Sequence, residues 1–213
     1  MTPKTDLADL IAIPTAALPA AGNAVPPARA WEIGPWVHGR NYSVGMPASP
    51  SPAAGGGAMF QFPVAGRGQI DAMTTPVSSL QGARRITLRY RIDAAGRTRF
   101  VPEEAPEEVA TVSVCFQRSG DNWSARGRYE SYRWYVLARA VVPLAPGVRS
   151  VTIGFDEPWV NVHFSSNSQD PEGYSAALAN ASRIGVAFGS AGLRSYGVYA
   201  PAARFTLLGL DIS

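Results

Sequence analysis

The densest group of side chains able to do chemistry lies in residues 120–135, which read GDNWSARGRYESYRWY. Two tryptophans, three tyrosines and three arginines stand there beside acids and an amide. Aromatic faces next to bidentate donors and acceptors are what proteins use to hold flat, hydroxyl-rich or anionic ligands. The candidate ligand-binding residues are Asp121, Asn122, Trp123, Arg126, Arg128, Tyr129, Glu130, Tyr132 and Trp134, with Trp159 further along the chain. A sandwich core also buries tryptophans, and Trp123, flanked by polar residues in a turn, is the one we expect to be most exposed.

Composition narrows the class of protein. The chain has 213 residues, 46% of them hydrophobic and 16% charged, which is typical of a globular protein with a full core. Its net charge is +3, and Lys4 is the only lysine, so arginine supplies nearly all of the positive charge. The sequence has no block of basic residues of the kind that binds nucleic acid. Cys115 is the single cysteine, which excludes a disulfide within the chain, and its alternating surroundings predict a structural place on a sheet face.

Sequence patterns for catalysis are weaker than those for ligand binding. Asp121 with Glu130, or Asp156 with Glu157, would be the carboxylate pair of a glycosidase. A polysaccharide lyase would need a base and a cation, for which His163, Tyr129 and Arg128 are the candidates. Only two histidines are present, no G-x-S-x-G motif occurs, and Gly55–Gly57 lacks the Lys-Ser/Thr of a phosphate-binding loop. We therefore expect no catalysis, and polysaccharide hydrolysis or cleavage stays open as an alternative.

Alternating apolar residues at a spacing of about ten predict an all-β protein. The clearest strand is residues 84–92, in which Ile86, Leu88, Tyr90 and Ile92 face one side and arginines face the other. Further strands are predicted at residues 41–46, 59–62, 68–75, 109–118, 134–142, 150–156, 159–164, 183–188 and 204–212. In the last of these, the adjacent Leu207 and Leu208 break the alternation and predict a bulge. Strands at this spacing, separated by Gly/Pro turns, are typical of a β-sandwich or jelly roll.

Two segments depart from the β pattern. Asp170 as N-cap and Pro171 as first residue predict a short helix over residues 171–181, placed as a cap over one end of the sandwich. Residues 1–30 are rich in Pro and Ala and predict an extended arm with a possible short helix, leaving residues 31–213 as one domain. We expect that such an arm attaches to a protein partner or to a second copy of the chain. No signal peptide or membrane-spanning stretch is visible, and the compartment stays open, with the outside of a cell or particle favoured.

Residues 110–213 resemble the galactose-binding-like jelly rolls of carbohydrate-binding modules. The resemblance is carried by the order SVTIGFD, DEPW, a helix containing AALANAS, RIGVAFG and RFTLLGLDI. It implies a sandwich that holds ligands through aromatic residues on loops or on its concave face, often with a structural calcium ion. Asp211 is the one calcium ligand that we can suggest.

These observations predict a jelly-roll sandwich with one capping helix that binds a cell-surface or polymeric glycan without catalysis. An aromatic platform would stack on the apolar face of a pyranose while polar side chains bind its hydroxyls. The alternative is a structural or assembly protein of a particle surface, such as a virion decoration, spike or fibre protein, anchored by residues 1–30.

Overall fold

A computed structural model describes residues 25–137 and 141–213 of the chain. In the first half the strands are β1 Glu32–Gly34, β2 Trp36–Val37, β3 Arg40–Asn41, β4 Ser51–Pro52, β5 Ala58–Gln61, β6 Ala72–Pro76, β7 Arg85–Asp93 and β8 Val101–Pro102. In the second half they are β9 Thr111–Arg118, β10 Arg133–Val136, β11 Val142–Pro143, β12 Gly147–Gly154, β13 Trp159–Asn161, β14 Ala181–Gly189, β15 Val198–Tyr199 and β16 Arg204–Ile212. One α-helix, α1, spans Pro171–Ala179, and two 3-10 turns span Ala28–Ala30 and Gly127–Ser131.

Two antiparallel sheets face each other. One has seven strands in the order β1-β6-β14-β9-β10-β13, with β11 also paired to β9, and the other has the order β12-β7-β16-β5-β4. The chain crosses between the two sheets from β5 to β6, from β6 to β7 and from β7 to β9. It crosses again from β11 to β12, from β12 to β13 and from β14 to β16. The predicted all-β jelly-roll sandwich with one short helix is confirmed.

The strand β7 forms as the alternation predicts. Its apolar residues Ile86, Leu88, Tyr90 and Ile92 are buried, and the arginines between them lie on the outer face. Its neighbour β16 carries the predicted bulge, since the register of the β7–β16 pair shifts between Leu207 and Gly209. Two adjacent apolar residues cannot both face the core of a regular strand, and the bulge shifts the alternation so that Leu207 and Leu210 are buried while Leu208 is only partly buried.

Aromatic rings fill one end of the space between the sheets. Phe155 stacks on Trp159 at 5.6 Å between ring centroids, and Phe116 meets Trp159 edge-on at 5.3 Å. Tyr174 of α1 packs edge-on against Trp134 at 4.9 Å and donates a hydrogen bond to the carbonyl of Phe155. The helix therefore closes this end of the core, as predicted.

The helix begins where its capping residue requires. Asp170 accepts a hydrogen bond from the backbone N–H of Gly173 and satisfies one of the free donors of the first turn. Its other carboxylate oxygen accepts a hydrogen bond from the hydroxyl of Ser131. The cap thus ties α1 to the 3-10 turn before β10.

Several predicted bounds differ from the observed ones. The predicted strand at residues 41–46 is reduced to the two-residue β3, because the chain there forms a tight hairpin with β2. The predicted strand at 134–142 appears as β10 and β11, with residues 138–140 outside the described ranges. Most of the predicted arm, residues 1–24, also lies outside them. Residues 25–30 pack on the sandwich, with Ala28 buried and the indole N–H of Trp31 donating to the carbonyl of Pro26.

Small residues line the outer face of the seven-stranded sheet. Gly185, Ala187 and Gly189 of β14 lie opposite Cys115, Ser113 and Thr111 of β9. A Cβ on Gly185 would stand 2.1 Å from the backbone carbonyl oxygen of Met73 on β6, so only glycine fits at this position of β14. Cys115 is fully buried on this face, in a small cluster with Tyr135, Val160 and Ala187. Side chains on the outer face of a sheet are buried only where loops cover them, and those loops form the candidate site.

Candidate functional site

A groove of about 740 Å³ runs over the outer face of the seven-stranded sheet, and we call it the main groove. Its floor includes Arg133 and Tyr135 of β10. Its walls come from four loops, residues 35–42, 120–126, 162–164 and 192–196. A smaller depression of about 280 Å³, the side groove, shares Pro35 and Trp123 with it. The volume of the main groove lies within the range of small-molecule sites, about 300–1,000 Å³.

The first wall is the β2–β3 hairpin. Positive φ angles at His38 and Gly39, 50° and 78°, form the two-residue turn that matches the twist of paired strands. The segment that follows is fixed by Ser43, whose buried hydroxyl donates to the carbonyl of Gly34 at 2.6 Å and accepts from the N–H of Asp71 at 2.8 Å. This hairpin places Tyr42 and His38 at the main groove and Trp36 at the side groove.

The second wall is organised by Asp121. Its buried carboxylate accepts hydrogen bonds from Arg133 Nη1 and Gln117 Nε2, both at 2.9 Å, and from the backbone N–H of Trp123 at 3.0 Å. The guanidinium of Arg133 lies 4.0 Å from the ring centroid of Trp123. Burial opposes its charge, but Tyr135 and Asp121 outweigh this and raise the pKa of Arg133. The result is a rigid unit in which a buried ion pair supports an aromatic ring between the two grooves.

The third wall, residues 162–164, is shaped by Asn161. Its side-chain oxygen accepts from the backbone N–H groups of His163 and Ser165, at 2.9 and 3.1 Å. The ring of His163 donates from Nε2 to the carbonyl of Ala125 at 2.7 Å, joining this wall to the second one. Phe164 is 52% exposed at its tip.

The fourth wall, residues 192–196, contributes Arg194 and Tyr196. The hydroxyl of Ser190 accepts from the N–H of Leu193 and closes the turn before them. The guanidinium of Arg194 lies 5.3 Å from the ring centroid of Phe164 and 5.9 Å from that of Tyr135. Burial lowers the pKa of Arg194 and raises that of Tyr135, whose hydroxyl donates to Ser195 at 3.2 Å.

Asp71, just before β6, also lines the main groove. Burial raises its pKa from 3.8 to about 8; a hydrogen bond from Gln69 opposes the shift, and the charges of Glu104 and Glu103 add to it. The carboxyl group is therefore protonated at neutral pH and can donate as well as accept a hydrogen bond. A buried acid of this kind in a cleft is typical of functional sites.

Strained backbone is concentrated at this groove. The described residues include six non-glycine residues with positive φ, and five of them line the main groove: His38, Trp123, Ala125, Phe164 and Ser195. The left-handed conformation is costly for residues with a Cβ, by about 1–2 kcal/mol. Such strain tends to be retained where function requires a particular geometry.

Exposed aromatic rings are concentrated there as well. Among the described residues, the large aromatic side chains with the most exposed surface are Trp36, Tyr42, Phe164 and Tyr196, between 42% and 54% exposed. Tyr42, Phe164 and Tyr196 line the main groove, and Trp36 lines the side groove. These rings line two adjacent grooves that share Trp123 and Pro35.

Buried polar atoms without a hydrogen-bond partner are also concentrated at the grooves. Six such side-chain atoms occur among the described residues, and four belong to residues that line the two grooves: Asp71 Oδ1, Gln117 Oε1, Arg133 Nε and Arg194 Nε. Buried polar groups in proteins are nearly always hydrogen-bonded, so exceptions need a reason. Grouped around these two adjacent grooves, they indicate a site shaped for a polar ligand.

The structure brings only some of the predicted ligand-binding residues to the groove. Asn122, Trp123 and Arg126 line the main groove, and Asp121 supports it from the side groove. The others of this stretch lie on the 3-10 turn or just after it, outside the lining of both grooves: Arg128, Tyr129, Glu130 and Tyr132. There, Arg128 Nη2 donates to the hydroxyl of Tyr129 at 2.9 Å.

Trp134 and Trp159 have no exposed surface and belong to the core between the sheets. Their indole N–H groups donate to the carbonyls of Ser131 and Gly154. This corrects their sequence-based interpretation as ligand platforms. Side chains alternate between the two faces of a strand, and at these positions they point into the core. Inward-facing Trp134 puts Arg133 and Tyr135 on the outer face, as the strand pattern predicts.

The proposed calcium ligand Asp211 lies on β16, opposite Thr87 of β7. Within residues 25–137 and 141–213, no three His, Cys, Asp or Glu side chains are grouped so that they could hold a metal ion. The described side chains around Asp211 therefore do not fit a carboxylate-based calcium site.

Sequence reasoning missed most of the groove. Asp71, Phe164, Arg194 and Tyr196 come from separate loops that only the sheet pairing brings together. Each follows or precedes a strand end next to turn-forming residues, as in SAGLRSYG after β14. Aromatic and charged residues next to turn formers in such loops were the available signal.

No protein-family model matches the chain, and no curated protein sequence matches it. Among solved structures, the chain is similar to a xylan-binding module, CBM15, with 12% sequence identity and a TM-score of 0.44 over 86% of this chain and 94% of that one. No helix in the part of the chain described is long and apolar enough to cross a membrane.

Proposed function

We propose that the protein binds a carbohydrate chain in the main groove, without catalysing its cleavage. The observation that carries the proposal is the set of exposed aromatic rings around a groove that also presents buried polar groups. Aromatic rings pack against the apolar faces of sugar rings, and a few placed polar groups bind their hydroxyls. A protein that had no ligand would gain stability by replacing these rings and by pairing those polar atoms.

The groove has the features that such binding needs. Trp123 is held by its stacking on Arg133, so little conformational entropy is lost when a sugar packs on it. Asn122 and the protonated Asp71 supply both donors and acceptors for hydroxyl groups. Because the side groove continues past Trp123, a chain of several sugars fits better than a single one.

The test is a glycan array probed with the whole protein, followed by calorimetric titration of the best oligosaccharide. We expect Trp123→Ala and Phe164→Ala each to weaken binding by about 1.5–3 kcal/mol, the free energy of burying a large apolar side chain. Tyr129→Ala is the matched control, since its ring lies in the predicted stretch but outside the groove lining. Equal losses in Tyr129→Ala and Phe164→Ala would place the ligand elsewhere, and an array without any binding would overturn the proposal.

Glycoside hydrolysis is the second candidate, and Asp71 is the observation that favours it. A carboxyl group with its pKa raised to about 8, in a groove that Glu104 also lines, is suited to the role of the general acid of a glycosidase, with Glu104 as the candidate second carboxylate. Prolonged incubation of the bound glycan with the protein, with reducing ends measured, separates the two. New reducing ends that Asp71→Asn abolishes, while affinity is retained, would make the protein an enzyme.

The alternative of a particle-surface protein was based on residues 1–30. Of these, residues 1–24 lie outside the described ranges, and nothing in the described part of the chain favours that role.

A further inference from the structure

Arg194 differs from every other buried cation of the described chain. Within residues 25–137 and 141–213, Arg133 and Arg194 are the two arginines that are at least nine-tenths buried, with exposures of 5% and 9%. Arg133 has the carboxylate of Asp121 at 2.9 Å. Among the described residues, no carboxylate lies within the 4.0 Å of an ion pair with Arg194, its guanidinium makes no hydrogen bond, and its Nε has no partner.

The position of this charge is fixed rather than incidental. Arg194 lines the main groove, and its guanidinium lies 5.3 Å from the ring centroid of Phe164 and 5.9 Å from that of Tyr135. Phe164 is held over it by a backbone with φ of 64°. A charge removed from water without a partner is destabilising, so such an arrangement is retained where a ligand supplies the opposite charge.

The other charged groups of the groove leave room for an anion. Arg126 adds a second cation to the lining, and the charge of Arg133 is balanced by Asp121. Of the acids in the lining, Asp71 is protonated at neutral pH and Glu104 is exposed on its loop. The groove therefore carries a net positive charge next to its aromatic rings.

We propose that the carbohydrate bound in the main groove carries carboxylates, as a glycan built from uronic acids does, and that Arg194 pairs with one of them. This inference rests on the proposed function and names its substrate class. The planar guanidinium offers two parallel N–H donors, which match the two oxygens of a carboxylate. Its guanidinium lies near the rings of Phe164 and Tyr135, whose apolar surface lowers the local dielectric and so strengthens such a pair.

The test compares acidic oligosaccharides with neutral ones of the same linkage. Tetramers of galacturonate, glucuronate and mannuronate, and their carboxyl-reduced counterparts, are each titrated into the folded wild-type protein. A panel of neutral oligosaccharides is titrated into it in the same way. We expect at least one acidic tetramer to bind tenfold or more tighter than its reduced form. The comparison needs no substitution, so it holds even if a change at Arg194 prevents folding.

Substitutions then test whether Arg194 causes the preference for acidic over carboxyl-reduced tetramers. Arg194→Gln should abolish the difference between the acidic and reduced forms, and Arg194→Lys, which keeps the charge but loses the planar fork, should retain only part of it. Arg149→Gln, which removes an exposed arginine on β12 of the opposite sheet, is the control for charge and should keep the full preference.

Failure of this inference can be distinguished from failure of the proposed function. Equal affinity for acidic and reduced tetramers, or binding of neutral glycans alone, would overturn the inference and leave glycan binding intact. Tighter binding of a sulfated tetramer than of any uronate would also overturn it. Absence of binding to the acidic and neutral panels alike would overturn the proposed function itself.

Discussion

Replacing Asp71 with asparagine should stabilise the protein in a way that depends on pH. In the folded chain burial raises the pKa of Asp71 to about 8, whereas in the unfolded chain the carboxyl group has its ordinary pKa of 3.8. Between these values the unfolded state releases the proton and the folded state keeps it. The stability supplied by this group is therefore fully present below pH 3.8 and is lost as the pH rises to about 8.

The magnitude follows from the two pKa values. One pH unit corresponds to about 1.36 kcal/mol for one proton, so at pH 7 the ionisation of Asp71 favours the unfolded state by about 4 kcal/mol. Asparagine has a similar shape and no proton to lose. The free energy of unfolding of Asp71→Asn should thus exceed that of the wild type by an amount that grows between pH 4 and pH 8 and is constant above that.

Urea denaturation of both proteins at one-unit intervals from pH 4 to pH 9 measures the difference. The slope is the decisive quantity, because any change in hydrogen bonding of the amide is the same at every pH. Glu107→Gln, which removes an exposed carboxylate from a loop, is the control and should stay within about 0.5 kcal/mol of the wild type throughout. A difference between Asp71→Asn and the wild type that does not vary with pH would refute the assignment of a buried, protonated Asp71.

Two further substitutions test the elements that position the groove, both followed by chemical denaturation. Asp121→Ala should lower the free energy of unfolding by about 3–5 kcal/mol, because it leaves the buried guanidinium of Arg133 without a partner; a loss below 1 kcal/mol would mean that the pair is solvated. Asp170→Ala should cost about 1 kcal/mol through loss of the N-cap of α1, and Asp170→Asn, which keeps an accepting oxygen, should cost less; equal losses in the two variants would contradict the capping role.

The strands and the helix could be predicted from the sequence more accurately than the residues of the groove. Alternation placed β7, β9, β14 and β16, and the adjacent Leu207 and Leu208 located a bulge, because these features depend on residues close together in the chain. The capping pair before α1 was readable for the same reason.

The groove was only partly predictable because it is made by long-range pairing. Trp123 and Asn122 could be suggested from their turn-rich surroundings, and they do line it. Arg194 and Asp71 lie 123 positions apart in numbering and meet the same groove only through the order of strands in the sheet. Trp159, suggested as a ligand platform by its residue type, is in the core because its position on β13 faces inward.

Glycan binding at the main groove can be tested most directly through the five tryptophans, whose indole N–H groups give separate signals in a nitrogen-15 NMR spectrum. Trp31, Trp134 and Trp159 are fully buried with hydrogen-bonded indoles, Trp36 lies at the side groove, and Trp123 lies between the grooves. On titration with the best oligosaccharide from the array, the signal of Trp123 should shift and reach saturation while the three buried indoles stay in place. Saturable binding that leaves Trp123 unchanged would contradict a carbohydrate site in this groove.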